Sequence, residues 1–305
     1  MKEPQITINS AKLSNIQDSG RYGFEQFGIS ANGAIDMYAY LKANELVGNK
    51  TSQPTIEVTA FGLSLTSNVD IPIAITGGEA DLKIDNQTIK SWQTVILPAK
   101  KELTIGMIKK GLRVYVAFAG GIHAKTTLNS TSRDTILDLG TQLTDGMILP
   151  LNGSTEATDM KITQLEDRPT YGSPWHIRVC DGPDTNIFTE STAQFYKNKY
   201  RVSPVSNHVG IRLKGPAVEN FKTPEILSRG VGVGSIEIFP TGQAVVLHRG
   251  RTVTAGYPII GVVSLIDLDM IGQARPGDEI HFEHISIDEA RELYKQHFNK
   301  LPYRR

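Results

Sequence analysis

Short apolar segments that end at turn residues recur along most of this chain, and this pattern constrains its fold more than any other feature. Two glycines close residues 71–76 (IPIAIT), and two more close residues 112–119 (LRVYVAFA). Residues 82–89 (LKIDNQTI) alternate around Asp85 and Asn86, which predicts a β-hairpin with a two-residue turn. Strands at this spacing are typical of a sheet or barrel and not of β–α–β units. The sequence therefore predicts a mainly β fold.

Three segments have features of helices instead. Residues 37–47 place their apolar side chains roughly on one face, with Asp36 positioned to cap the segment and Gly48 to end it. Residues 184–196 follow a turn at 181–183, and residues 287–298 start near Ser286 or Asp288. The other predicted strands are residues 94–97, 103–105, 176–180, 211–213, 235–239, 244–247, 259–265 and 279–282.

A polar segment, residues 152–167, separates two halves that both have the strand pattern. It contains few large apolar side chains, as is typical of a linker. We therefore predict one β subdomain over residues 1–155 and a second over residues 168–305 that ends in the terminal helix.

Charge and motif content exclude several functional classes. The 32 basic and 32 acidic side chains balance, which argues against a nucleic-acid binder or a polybasic membrane anchor. No apolar run has the length of a signal peptide core or a membrane helix, and the single cysteine, Cys180, cannot form an internal disulfide. Standard nucleotide and metal motifs are absent from the sequence. We expect a soluble cytoplasmic protein without a metal site, in which Cys180 is a buried structural thiol.

The first candidate site is the glycine-rich segment of residues 16–36. Backbone N–H groups in such a segment can approach an anion, and Arg21 can clamp a carboxylate or phosphate. The alternative is a surface loop that leads into the first helix, although structureless loops of this length are uncommon and often functional. The predicted substrate-binding residues in this segment are Asp18, Gly20, Asn32, Gly33 and Asp36.

The second candidate site is the polar segment of residues 203–215. A spacing of four residues would place His208 and Arg212 on the same face of a strand, where the pair can hold an anionic substrate. Ser206 and Asn207 precede them and are also predicted to bind substrate. The alternative is an exposed polar edge.

Further candidates lie near the C-terminal strands. His248, Arg249 and Arg251 form a local basic cluster that can meet ATP, carboxybiotin or an acidic substrate, or that is simply a solvated turn. A glycine-rich segment at 228–234 carries Arg229, but a strand and not a helix follows it. Gly256 and Tyr257 form a bend that presents a phenol beside exposed backbone, unless it is only a barrel corner.

Several of these segments together resemble one known family. They are residues 15–49 (NIQDSGRYGFEQFGISANGAIDMYAYLKANELVGN), 55–62 (TIEVTAFG), 118–122 (FAGGI), 206–216 (SNHVGIRLKGP), 228–242 (SRGVGVGSIEIFPTG), 254–258 (TAGYP) and 273–278 (QARPGD). In this order they are similar to the biotin-dependent carboxyltransferase family, which includes the C-type subunit of 5-oxoprolinase, allophanate hydrolase subunit 2, the carboxyltransferase region of urea carboxylase, and KipA.

The resemblance implies a fold, partners and a reaction. It implies two cyclophilin-like β-barrel subdomains, and a KipI-like B-type subunit that completes the active site. In the 5-oxoprolinase branch, a LamB/YcsF-like A-type subunit joins them, and ATP drives the opening of 5-oxoproline to glutamate. In the urea carboxylase branch, a biotin carrier protein brings carboxybiotin, and the carboxyl group is transferred to urea. In the KipA branch, the protein binds and antagonises a KipI-like kinase inhibitor without catalysis.

This chain departs from the family pattern at several positions. Glu237 and Phe239 stand where the pattern GxIQVPP has glutamine and proline. Gly250 replaces an acid, and His208 replaces an arginine. Thr131 and Arg133 alter a segment that usually has the sequence GSRST. These changes alter the hydrogen-bonding groups of a site, so another substrate or a regulatory role is an alternative to 5-oxoproline.

We therefore expect a 5-oxoprolinase-type subunit that is inactive alone, with a biotin-dependent carboxyltransferase for a urea-like amide and a KipA-like binder as alternatives. We predict Arg21, Arg212 and Tyr257 as catalytic residues that bind an anion and polarise a carbonyl. We also expect Arg21→Ala to abolish turnover and leave the fold intact. The predicted substrate-binding residues are Asp18, Gly20, Asn32, Gly33, Asp36, Ser206, Asn207, His208 and Gly256.

Overall fold

The computed structural model describes residues 3–152, 160–188, 190–218 and 226–298, and these residues form two compact units. Within them, the first unit comprises residues 3–21 and 36–171, and the second comprises residues 22–35 and 172–298. Residues 153–159 of the predicted linker lie outside the described residues, and residues 160–167 belong to the first unit. The glycine-rich segment 16–36 therefore contributes residues to both units.

A nine-stranded sheet, antiparallel in each of its pairings among the described residues, forms the first unit. Its main path runs in the order β2-β3-β8-β4-β1-β9, and β5 pairs with β6, β7 and β8. The strands are β1 (Gln5–Ala11), β2 (Ser14–Gln17), β3 (Thr55–Thr59), β4 (Leu63–Ser67), β5 (Ile71–Ile84), β6 (Gln87–Thr88), β7 (Thr94–Leu97), β8 (Glu102–Phe118) and β9 (Ile148–Pro150). The hairpin predicted around Asp85 and Asn86 is confirmed, since Ile84 pairs with Gln87.

Two long strands, β5 and β8, differ from the prediction. The glycines at 77 and 78 do not end β5, and the segments predicted at 103–105 and 112–119 form one strand of 17 residues. A Cβ at Gly77 would lie 2.4 Å from the Arg113 carbonyl oxygen, and one at Gly78 would lie 2.5 Å from the Lys110 carbonyl oxygen. These glycines therefore allow close approach of β8 at an irregularity in the register, where Gly77 has φ +94°.

Helix α1 (Met37–Leu46) follows the predicted bounds closely. The Asp36 carboxylate accepts a hydrogen bond from the Ala39 backbone N–H at 2.9 Å, which satisfies a donor that the first turn leaves unpaired. Seven of its ten residues are buried, since the helix packs against β5 and β8. The strong burial explains why a helix with few charged residues is stable here.

A closed barrel forms the second unit, with strand order β10-β17-β14-β15-β12-β11-β18. The strands are β10 (Trp175–Asp181), β11 (Lys199–Val202), β12 (Gly210–Lys214), β13 (Arg229–Gly230), β14 (Ser235–Ile238), β15 (Ala244–Leu247), β16 (Thr254–Ala255), β17 (Ile259–Val263) and β18 (Glu279–His284). The two short strands β13 and β16 pair separately as a two-stranded sheet. A mainly β fold with a few short helices is thus confirmed, and the barrel that closes among the described residues is that of the second unit.

The predicted helix at 184–196 consists of α2 (Thr185–Phe188) and α3 (Glu190–Lys197), with residue 189 outside the described residues. A short helix that was not predicted, α4 (Leu268–Gly272), precedes β18. The terminal helix α5 (Ile287–Phe298) has the predicted bounds. Its Ser286 hydroxyl accepts from the Glu289 N–H at 3.2 Å, and the Glu289 carboxylate accepts from the Ser286 N–H at 2.7 Å, which forms a capping box.

The strand predicted at 259–265 ends at Val263, where a 3₁₀ turn (Leu265–Asp267) follows. The Asp267 carboxylate accepts hydrogen bonds from the Arg178 backbone and guanidinium, which fixes this turn against β10. Among the described residues, no helix has the length and apolar character needed to span a membrane.

Candidate functional site

The Asp18 carboxylate is the centre of a buried hydrogen-bond network in the first unit. It accepts from the Ser130 hydroxyl at 2.7 Å, the Ser132 hydroxyl at 2.5 Å and the Gly20 N–H at 2.8 Å. The Thr131 N–H and hydroxyl also donate to it, at 2.6 and 3.0 Å. Five donors therefore hold this carboxylate, and the sequence could not show that residues 130–132 would meet Asp18. Its predicted role in substrate binding remains a prediction.

Arg21 lies beside this network and has no exposed surface. Its guanidinium donates to the Ser132 carbonyl oxygen, and its Nη1 lies 3.8 Å from the Asp134 carboxylate. Burial lowers the pKa of the Arg21 guanidinium, although Asp134 and Asp18 act in the opposite direction. Nε and Nη1 make no hydrogen bond in the described structure. The side chain thus supports the 130–134 segment, and its predicted role in turnover stays a prediction.

We expect Arg21→Ala to lower the free energy of unfolding by about 3 kcal/mol, because it leaves a cavity and removes the cation beside Asp134. This burial conflicts with the expectation that the substitution leaves the fold intact. Urea denaturation of the wild type and the variant measures the effect. Arg201→Ala is the matched control, because Arg201 is exposed and its ion pair with Glu279 should contribute less than about 0.5 kcal/mol. Equal stability of the two variants would contradict the structural role of Arg21.

Asp36, also predicted to bind substrate, belongs to a second buried network of the first unit. Besides capping α1, its carboxylate accepts from the Tyr171 hydroxyl at 2.7 Å. Its backbone N–H donates to the Tyr115 hydroxyl, which donates to the Glu57 carboxylate at 2.7 Å. Burial raises the pKa of Tyr115 well above its usual value, and the nearby Glu57 carboxylate adds to the shift. The network connects the helix start to the sheet.

In the second unit, Asn32 meets the end of strand β15. Its backbone N–H donates to the Arg249 carbonyl oxygen at 3.1 Å, and its own φ is +53°. A Cβ at Gly250 would lie 3.0 Å from both the Asn32 Oδ1 and the His208 carbonyl oxygen. Glycine at 250, where the family pattern has an acid, therefore suits this tight contact. Gly33 follows in the left-handed region with φ +94°, which favours glycine.

The polar residues before β12 are engaged in a turn. The Ser206 hydroxyl accepts from the Arg212 N–H at 3.0 Å, and the Asn207 Oδ1 accepts from the Val209 N–H at 2.9 Å. His208 lies outside the strand, which begins at Gly210, so the predicted pairing of His208 and Arg212 on one strand face is wrong. Of these two residues, Arg212 belongs to strand β12 and His208 precedes it.

Arg212 contacts the Phe239 ring, which in turn contacts the Tyr257 ring. Its guanidinium lies 5.4 Å from the centre of the Phe239 ring, and that ring lies 4.5 Å from the Tyr257 ring. Tyr257 keeps 39% of its surface exposed. The structure thus brings together two of the three predicted catalytic residues, and Phe239, recognised only as a departure from the family pattern, lies between them. Gly256 precedes Tyr257 where a Cβ would lie 3.0 Å from the Ile226 carbonyl oxygen.

A buried carboxyl group shares this face. Arg212 pairs with Val245, Val245 pairs with Glu237, and Glu237 pairs with Ile259, across four adjacent strands. Paired residues of antiparallel strands point to the same side, so Arg212 and Glu237 share the outer face. Glu237 is only 3% exposed, and burial raises its pKa to about 7. Its Oε1 has no hydrogen-bond partner within the described ranges.

The basic cluster predicted at 248–251 is not a solvated turn. His248 is fully buried: its Nδ1 accepts from the Arg249 N–H, so its Nε2 carries the proton and donates to the Leu268 carbonyl oxygen at 2.9 Å. The Arg251 guanidinium, 8% exposed, donates to the Val231 carbonyl oxygen at 2.8 Å. Arg229, from the other glycine-rich segment, pairs with Asp184. Cys180 is partly exposed rather than buried.

A cavity of about 320 Å³ lies in the first unit, and its lining includes none of the predicted site residues, although Tyr171 in the lining donates to Asp36. Trp92, Arg168 and Tyr171 contribute to its lining. Trp92 adopts a positive φ of +60° and donates from its ring N–H to the Gly77 carbonyl oxygen, and the Arg168 guanidinium donates to the Thr163 carbonyl oxygen. These side chains are therefore already engaged within the fold.

Comparisons with known proteins agree on the family. A model of the carboxyltransferase domain, subdomains A and B, matches residues 27–284. The chain is 31% identical to the C-type subunit of Escherichia coli 5-oxoprolinase, over 97% of both chains. It is 32% identical to Saccharomyces cerevisiae urea amidolyase, over 95% of this chain but 17% of the yeast protein.

A solved structure gives the same result for the fold. The crystal structure of the K. lactis urea amidolyase superposes with a TM-score of 0.90 at 25% identity, over 99% of this chain and 20% of that one. The similarity thus extends over both compact units as well as over the motifs. The chain belongs to the family of carboxyltransferase domains made of subdomains A and B.

Proposed function

We propose that this chain is the C-type subunit of an ATP-dependent 5-oxoprolinase-type complex that opens 5-oxoproline to glutamate. The observation that carries the proposal is the match to the C-type subunit of the E. coli 5-oxoprolinase, which spans 97% of both chains. The match to urea amidolyase spans only 17% of that much longer protein.

The proposed complex has three proteins. A KipI-like B-type subunit completes the site, and a LamB/YcsF-like A-type subunit is the third component. ATP supplies the activation that an unstrained amide bond needs before water can cleave it. In this chain, the partly exposed Arg212 guanidinium suits the phosphate or carboxylate oxygens of the ligands, because guanidinium forms strong bidentate bonds with both.

In this proposal Arg212 and Tyr257 carry the chemistry of this chain. The guanidinium, held above Phe239, binds an anionic group, and the Tyr257 hydroxyl is available to polarise a carbonyl oxygen. Asn32, Gly33, Ser206, Asn207, His208 and Gly256 position the surrounding backbone of the second unit. Asp18, Gly20, Asp36 and Arg21 belong to the first unit, where their side-chain and backbone contacts support the fold.

The test is reconstitution with B-type and A-type partners and measurement of 5-oxoproline-dependent ATP hydrolysis. We expect turnover with all three proteins and background rates when this chain is withheld. Arg212→Ala should assemble and lower kcat/KM at least about tenfold, as expected for a lost charge-assisted contact. Arg201→Ala, an exposed arginine of the same barrel, is the matched control and should match the wild type. An assembled complex without turnover would contradict the proposal.

The second candidate function is a carboxyltransferase that moves the carboxyl group of carboxybiotin to a urea-like amide. It is favoured by the 32% identity to urea amidolyase and by the TM-score of 0.90 to the K. lactis enzyme. This function requires a biotin carrier protein, so avidin should abolish turnover. Avidin has no effect on the proposed 5-oxoprolinase reaction. Tight association with the KipI-like partner and no turnover under either condition would instead favour a KipA-like binder.

A further inference from the structure

The Glu237 carboxyl group lies in apolar surroundings on the outer face of the barrel. Its cross-strand neighbours Val245 and Ile259 belong to an apolar cluster with Val231 and Leu247. The Glu237 Oε1 is buried and has no hydrogen-bond partner among the described residues. A buried carboxyl group without a partner is unfavourable, so a group of this kind is a candidate for a binding or catalytic position.

A cation lies near this carboxyl group on the same face. Phe239 is two residues beyond Glu237, and the Arg212 guanidinium lies over the Phe239 ring. Two residues along a strand correspond to about 7 Å. The strand register places Val245 between Arg212 and Glu237, so the two residues are separated by two interstrand spacings, about 10 Å between their backbones. Arg212 and Glu237 do not form an ion pair with each other in the described structure.

We propose that Arg212 and Glu237 form the two ends of one binding position, which takes a small amide or lactam that also carries a carboxylate. Arg212 pairs with the ligand carboxylate, and Glu237 accepts the ligand N–H group. The ring of Phe239 and the apolar cluster contact the hydrocarbon part. This inference rests on the proposed function and assigns the recognition of its substrate to two named side chains.

A short two-stranded antiparallel ribbon lies beside this position. Strands β13 and β16 pair through Arg229 with Ala255 and Gly230 with Thr254, and the adjoining Val231 packs on the apolar cluster. A two-stranded ribbon of this size is only marginally stable by itself. Displacement of this ribbon would expose Glu237 and let the ligand enter beside the partly exposed Tyr257.

The requirement for a ligand carboxylate at Arg212 also distinguishes urea from a lactam acid as the substrate. Urea carries N–H groups but no carboxylate, so it would leave Arg212 without a partner. A lactam acid such as 5-oxoproline satisfies both side chains. The glutamine of the family pattern would keep an accepting oxygen at this place and lose the charge, which makes Glu237→Gln a conservative variant.

The test is equilibrium binding of 5-oxoproline to the reconstituted complex without ATP, by titration calorimetry, with 2-pyrrolidinone as the same lactam lacking the carboxylate. We expect the wild type to bind 5-oxoproline at least about tenfold more tightly than 2-pyrrolidinone. Arg212→Ala should remove this preference, whereas Glu237→Leu should weaken both ligands at least about tenfold. Glu283→Gln, at an exposed position of the same barrel, is the control and should bind as the wild type does.

The pH dependence provides a second readout. Wild-type affinity for 5-oxoproline should rise several-fold between pH 6 and pH 8, because the ionised carboxylate accepts an N–H bond more strongly. Glu237→Gln should bind with little dependence on pH over this range. Unchanged binding by Glu237→Leu, or no binding by the wild type, overturns the inference. Turnover is not part of the measurement, so its absence would contradict the proposed function separately.

Discussion

Replacing Asp18 by alanine should lower the free energy of unfolding by about 4 kcal/mol, the largest effect that we expect from a single side chain of this protein. The Asp18 carboxylate accepts five hydrogen bonds, four of them from residues 130–132. The substitution would leave these donors unpaired in a buried place, and each unpaired donor costs about 1–3 kcal/mol before the structure relaxes. The segment 130–134 should lose its position against strand β2 as a result.

Urea denaturation followed by circular dichroism measures this loss. Asp138→Ala is the control, because Asp138 follows the same segment but is 87% exposed and contacts only Arg133 among the described ion pairs. We expect it to change stability by less than about 0.5 kcal/mol. Asp18→Asn should fall between the two, since an amide keeps one accepting oxygen. A loss below about 1 kcal/mol for Asp18→Ala would show that this network is not a main support of the fold.

The second large effect concerns Glu237 and depends on pH. Burial raises its folded-state pKa to about 7 from an ordinary value of 4.5. Below pH 4.5 the carboxyl group is protonated in both the folded and the unfolded state, so it does not lower the free energy of unfolding. As the pH rises toward 7, the unfolded chain releases this proton first, so the folded state loses stability relative to it. Above pH 7 the ionised carboxylate lowers the free energy of unfolding by about 3 kcal/mol, as expected for a pKa shift of this size.

Glu237→Gln should therefore match the wild type at about pH 4 and exceed its stability by about 3 kcal/mol at about pH 8. Chemical denaturation at a series of pH values gives the difference directly. Glu283→Gln, an exposed carboxylate on β18, is the matched control and should show no comparable pH-dependent difference. If the difference between Glu237→Gln and the wild type were the same at both pH values, the carboxyl group would not be desolvated in the folded protein.

Local structure was predictable where its cause lies in neighbouring residues. The cap at Asp36 and the turn at Asp85–Asn86 each depend on a few consecutive residues, and both were confirmed. The end of β5 was predicted wrongly. Glycine is needed at position 77 because a carbonyl group of β8 lies close to it, and the sequence does not show this contact. The same limit applies to Asp18, whose hydroxyl partners Ser130 and Ser132 are 112 and 114 residues away.

The site was predictable in part for the same reason. Arg212 and Tyr257 were identified as functional candidates. Both contact the Phe239 ring, and this arrangement depends on the order of strands in the barrel. Glu237 lies within the apolar sequence SIEIF, where alternation indicates a face but not which residues cover it. Glu237 pairs with Val245 and Ile259 on the neighbouring strands. This pairing, which the sequence does not show, places its carboxyl group on the outer face of the barrel.

Release of glutamate from 5-oxoproline by the reconstituted complex is the direct test of whether this chain is the C-type subunit. The A-type and B-type partners with ATP but without this chain should produce no glutamate, and adding this chain back should start production together with matching phosphate release. That result would establish it as the C-type subunit in spite of its departures from the family pattern. Glutamate production at the same rate without this chain, or none from a complex that assembles completely, would contradict the account.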